Sequence, residues 1–88
     1  MTLNTAFLLM AQYSGKAIIP LADVCRDYFS HLTPEKLVRK VMAGQIALPI
    51  VHIERSQKSA RGVHLQDLAD YLDKRRAEAM KEFEALYG

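Results

Sequence analysis

The sequence predicts a mainly α-helical domain carrying one small β-hairpin, and three observations point to it. Apolar residues recur at helical spacing through four separate segments. The run "LPIVHI" instead has the β-branched content of a strand. Half of the 88 residues are hydrophobic, which suits one globular core spanning 1–88 and is far above what disordered chains contain. A domain this short buries only about 60 to 65% of the surface its unfolded chain exposes, so added burial against a second subunit is to be expected.

The first helix is "NTAFLLMAQYSG". Asn4 or Thr5 can cap it, and it stops at Ser14 and Gly15, where glycine supplies the left-handed cap. It is apolar on nearly every side, so more than one face must find cover. In "AIIPLADVCRDYFSHL", Ile18 and Ile19 are extended before Pro20. Leu21, Val24, Cys25, Tyr28 and Leu32 then follow at helical spacing, a short helix of about three turns ending near Ser30 and His31.

The third helix, "TPEKLVRKVMAGQI", has the clearest boundaries. Thr33 is a good N-cap, Pro34 fits the first helical position, Glu35 complements the helix dipole and Gly44 fits just past the end. At 100° per residue Leu37, Val38, Val41 and Met42 share one face. Lys36, Arg39 and Lys40 share the opposite one, so three cations leave the helix together.

"IALPIVHIE" reads as a strand with Pro49 near its start, and "GVHL" as a short return strand. Between them, Arg55 to Arg61 form a basic loop longer than a tight hairpin needs, with no apolar residue larger than Ala60. Such a loop adds little to a core, so its length points to something it touches outside. From Gln66 the pattern is helical again, with Leu68, Tyr71, Leu72, Ala79, Phe83 and Leu86 along one stripe of a helix over 66–87.

Charge is segregated along the chain. Residues 1–34 balance, residues 35–61 carry six basic against two acidic groups, and residues 62–88 carry four basic against six acidic. A basic middle third calls for an anionic partner, with nucleic acid first in line. Two helices joined by a tight turn, the second basic on its exposed face, followed by a hairpin with a basic tip, make a winged helix-turn-helix. In that arrangement a helix fits the major groove of double-stranded DNA while the basic loop reaches the adjacent backbone or minor groove. The DNA-binding candidates are therefore Thr33, Lys36, Arg39 and Lys40 on the helix, with Arg55, Ser56, Gln57, Lys58, Ser59 and Arg61 in the wing.

The run "LTPEKLVRKVMAGQIALPIVHIERSQKSARGVHLQDLADYLDKRR", together with "NTAFLLMAQY", resembles the pyocin activator protein family. The resemblance covers nearly the whole chain, and its specific pieces are "LPIV", "SQKSARGVHL" and "DLADYLD". It implies a winged helix related to excisionase and MerR-type domains, and transcriptional activation of bacteriocin or prophage-like genes through promoter binding. RNA polymerase is then a further partner.

No enzyme chemistry is legible. There is no glycine-rich phosphate cradle and no nucleophile elbow, and no cofactor is expected. His31, His52, His64 and Cys25 lack the short paired spacing of structural zinc sites. His52 and His64 fall in the two hairpin strands, as cross-strand or DNA-proximal surface residues, and Cys25 lies on the apolar stripe of its helix. One cysteine cannot form an internal disulfide, and "AFLLMA" is too short for a bilayer span or a signal core, so a cytoplasmic protein without membrane contact is expected.

The last helix would be about 33 Å long, more than so small a core can cover. A homodimer through Leu72, Ala79, Phe83 and Leu86 is the expected use of the excess, although Arg75 or Arg76 interrupts a regular heptad. Two other functions share these features. One is an excisionase-like factor that bends DNA, and the other is an adaptor that binds a regulatory protein without touching DNA.

Overall fold

The computed structural model describes residues 3–55 and 60–88. Its order is α1 (Thr5–Gln12), β1 (Ile18–Pro20), α2 (Leu21–Tyr28), α3 (Pro34–Met42), β2 (Val51–His52), β3 (Arg61–His64) and α4 (Leu65–Tyr87). The chain is a mainly helical domain with a small antiparallel sheet and a long last helix. The sheet has three strands in the order β1-β3-β2, one more than a lone hairpin. The extra strand is the segment before Pro20, where Ile18 pairs with His64, Ile19 with Val63 and Pro20 with Gly62. Proline is tolerated there because β1 is an edge strand.

Gly62 makes this sheet possible. A Cβ on Gly62 would stand 2.5 Å from the Ile19 carbonyl oxygen and 2.7 Å from Ile18 Cγ2, so only glycine lets β1 lie this close to β3. Flanking it, Ile19 and Val63 are fully buried.

Local signals set the helix ends. Asn4 caps α1 by accepting the Phe7 N–H, and Ser14 and Gly15 turn the chain at φ 55° and 76°. Helix α2 is shorter than the spacing predicts and stops at Tyr28, so Leu32, half-buried, packs from the following turn. The buried Phe29 holds that turn down, its ring 5.8 Å from Tyr71 of α4. The predicted strand through "IALPIVHIE" shrinks to two residues. Ile46 and Leu48 before it are buried, so alternation there records an extended segment pressed onto the core without ladder partners. The face predicted for α3 also ends early, because Met42 is 82% exposed.

One core gathers Leu9, Ile19, Val24, Leu37, Leu48, Val63 and Leu68, each at most 2% exposed, from every helix and from the sheet. Each such side chain contributes about 1.5 to 3 kcal/mol relative to exposure. A polar cluster ties α1 to α2 at the rim. Asp27 accepts from the Tyr13 hydroxyl at 2.7 Å, from Gln12 at 3.3 Å and from the Arg26 guanidinium at 3.0 and 3.1 Å. The neighbouring guanidinium, then the tyrosine hydroxyl, hold the Asp27 carboxyl below its ordinary pKa, while burial and the same contact push the Tyr13 hydroxyl up.

Candidate nucleic-acid interface

Helix α3 has two faces with opposite fates, and its first turn decides their orientation. The Thr33 hydroxyl oxygen accepts the Lys36 N–H at 3.3 Å and its carbonyl accepts the Leu37 N–H at 2.9 Å, with Pro34 filling the first helical position. Leu37 is 0% exposed and Val38 and Val41 are half-buried against the core. Gly44, at φ 75°, ends the helix and returns the chain toward Ile46.

Seating that face leaves Lys36 and Arg39 exposed and Lys40 half-exposed on the far side. Among the described residues none of the three is in an ion pair. The Lys40 ammonium donates to Gln45 Oε1 at 3.4 Å, a long bond that leaves its charge uncompensated. Together with Ala43 and Gln45 the three cations line one surface depression. Arg39 and Lys40 also fall in the last turn, where positive charge is favourable beside the helix dipole. Such a surface is stable alone and strongly attractive to anions.

The hairpin follows α3 in the chain. Val51 pairs with Gly62 and His52 with Arg61, and the Ile53 N–H donates to the Ala60 carbonyl at 3.0 Å. Arg61 therefore belongs to strand β3, half-exposed opposite His52, rather than to the connecting loop. Arg55 is exposed at the start of the connection. The remaining wing candidates, Ser56, Gln57, Lys58 and Ser59, lie outside the described residues. Helix α2 touches both α3 and β3, so it is the shared support for the basic helix and the hairpin.

Sequence reasoning missed two residues. Gln45 joins the cationic depression, and only its place just after Gly44 could have signalled it. His64 is more than a surface residue, since its Nδ1 accepts the Gln66 N–H at 3.0 Å and caps α4. Imidazole is an uncommon cap, and spacing alone does not reveal it. Of the four residues expected to pair subunits, Leu72 is half-buried on the chain's own core, while Ala79, Phe83 and Leu86 are exposed. Among the described residues no three His, Cys, Asp or Glu side chains could hold a metal ion, and no helix is long and apolar enough to cross a membrane.

A family model described as Pyocin activator protein PrtN matches residues 5–79, which take in α1, the cationic helix, the hairpin and the first part of α4. The chain belongs to that family. No curated protein and no solved structure matches it.

Proposed function

We propose that this member of the pyocin activator protein PrtN family activates transcription of bacteriocin (pyocin) genes by binding their promoter DNA as a winged helix-turn-helix. In this reading α3 enters the major groove. Arg39, central on the exposed face, makes a bidentate contact to guanine in this reading, while Lys36 and Lys40 at its margins neutralise phosphates. The β2–β3 hairpin lies along the neighbouring backbone through Arg55, Ser56, Gln57, Lys58, Ser59 and Arg61, and each phosphate neutralised releases counterions. Activation then requires a contact with RNA polymerase elsewhere on the surface.

The observation that carries the reading is the set of three cations, in no ion pair among the described residues, on one side of a helix whose other side is anchored by the fully buried Leu37. Charges meant only for solubility are normally interspersed with acidic neighbours. The N-terminal Glu35 is the single acidic residue of α3.

The test is selection of binding sites from random double-stranded DNA by the purified chain. Enrichment of one short sequence, reduced for Arg39→Ala, is the expected result. Failure to enrich any sequence, with no retention of DNA at low salt, would favour the adaptor over the activator.

A further inference from the structure

Helix α4 runs for 23 residues, yet its buried residues, Leu65, Leu68 and Ala69, all lie in the first two turns. Beyond them Phe83, Leu86 and Tyr87 are 54%, 79% and 76% exposed, and the rings of Phe83 and Tyr87 stack 4.8 Å apart. Alongside the first half of the same helix runs a groove of about 890 Å³, lined by Leu3 and Leu8 from the α1 side and by Ala69, Asp73, Arg76 and Ala77 from α4. An apolar helix end and a groove of mixed apolar and polar lining thus occur on one chain, at opposite ends of one element.

We propose that this end is covered by a second copy: the last turns of α4 pack along α4 of the partner beside its α1–α4 groove, the two α4 helices running antiparallel about a two-fold axis near Ala79. The seam consists of Leu72, Arg76, Ala79, Phe83 and Leu86, which recur at the alternating four- and three-residue spacing of knobs-into-holes packing. Leu65 and Ala69 precede them in the same rhythm but are spent on the chain's own core. With the axis at Ala79, Leu86 of one copy meets the exposed part of Leu72 of the other.

Charge decides the occupant and the direction. Lys74, Arg75 and Arg76 form a cationic block, and Glu78, Glu82 and Glu84 with Lys81 form an acidic one further along. Arg76 lines the groove and, among the described residues, has no ion pair of its own. Parallel pairing would bring Arg76 against its own copy. Antiparallel pairing removes that clash and brings Arg75 to Glu82, almost equally far from the axis, at both ends of the interface. Arg75 and Glu82 lie one heptad apart and so on one flank, and antiparallel helices bring like flanks together. One contact opposes this arrangement. On the other flank Glu84 comes opposite Asp73, whose carboxylate accepts the Thr5 hydroxyl, and the nearby Arg76 offsets the repulsion.

Disulfide trapping and sedimentation on the full chain, without DNA, test the pairing independently of the function proposed above. Cys25 is buried, so a cysteine introduced on α4 is the one that reacts. Ala79→Cys is expected to cross-link efficiently under mild oxidation. Leu86→Cys is expected not to, because its two copies would stand about 21 Å apart along the antiparallel pair. Arg75→Glu should weaken the dimer at least tenfold in sedimentation equilibrium, and adding Glu82→Arg should restore it. Far-UV circular dichroism checks that each variant stays helical. Cross-linking at both positions would establish a parallel pair and overturn the proposal. So would a chain that sediments as a monomer at every concentration, or an Arg75→Glu variant that dimerises like the parent.

Discussion

Helix α3 and the outer half of α4 are both amphipathic, but they leave opposite faces to solvent. In α3 the core takes the apolar side completely at Leu37, and between Glu35 at its start and the exposed Met42 at its end what remains outside is cationic. In α4 the core takes the first two turns, and the apolar stripe then continues into water through Phe83 and Leu86. The difference teaches how to read an exposed surface. Unpaired cations on a firmly anchored helix ask for an anion, whereas an apolar stripe longer than the core beneath it asks for another apolar surface. Deleting a side chain should therefore cost folding in one place and association in the other.

The largest effect should come at the anchor. Leu37→Ala removes a fully buried side chain and should lower the unfolding free energy by about 2 to 5 kcal/mol in urea or guanidinium titration. Leu86→Ala, at 79% exposure, should change the stability of dilute protein by less than about 0.5 kcal/mol. Comparable losses at both would break the contrast, because they would mean that the outer turns of α4 belong to the folded core.

Next comes the exposed face of α3. Arg39→Ala should cost about 1 to 3 kcal/mol on the preferred DNA site and much less on random sequence, read by fluorescence anisotropy. Equal losses on both would move Arg39 from base reading to phosphate holding. Thermal unfolding should hardly change, since Arg39 is exposed and, among the described residues, in no ion pair.

Thr33→Ala gives a smaller effect that spans folding and binding. Losing the hydroxyl that accepts the Lys36 N–H should destabilise the domain by about 1 kcal/mol in denaturant titration, and Thr33→Asp should recover it. If Thr33→Ala instead leaves stability intact and weakens DNA binding, the hydroxyl serves the ligand rather than the helix.

The smallest expected effect lies at the α1–α2 rim. Asp27 has a lowered pKa in the folded chain, so its contribution is fully present above the ordinary carboxylate pKa and is lost as pH falls through the folded value. Asp27→Asn should remove that part of the acid dependence and leave neutral-pH behaviour of α3 unchanged. Identical acid unfolding curves for the two proteins would show that the cluster is not coupled to folding.

How far the sequence foretold all this depended on the range of the interaction. The ends of α3 were legible because Thr33, Pro34 and Gly44 act within one turn of the residues they cap. The three-residue strand β1 was not, since its pairing with β3 joins residues more than forty positions apart and its only local mark was the extended "IIP". Gly62 was the hidden sign, meaningful only once a neighbouring strand is known to press on it. Met42 followed the helical period of α3 faithfully but lies past the edge of the core, and periodicity cannot say where cover ends. The cationic face was legible for a related reason, because three charges at helical spacing are a property of one helix. The α1–α4 groove needs two distant segments and a fold to bring them together.

The central claim, that the exposed side of α3 holds a nucleic-acid backbone, is tested most directly by the salt dependence of DNA binding. The logarithm of affinity against the logarithm of salt concentration should be measured for the parent and for Lys36→Ala with Lys40→Ala. Each phosphate no longer neutralised should flatten the slope by about 0.9, so the double variant should be shallower by about 1.8 and weaker on all sequences alike. Unchanged slope and affinity would contradict the claim and leave the cations of α3 without a role on DNA.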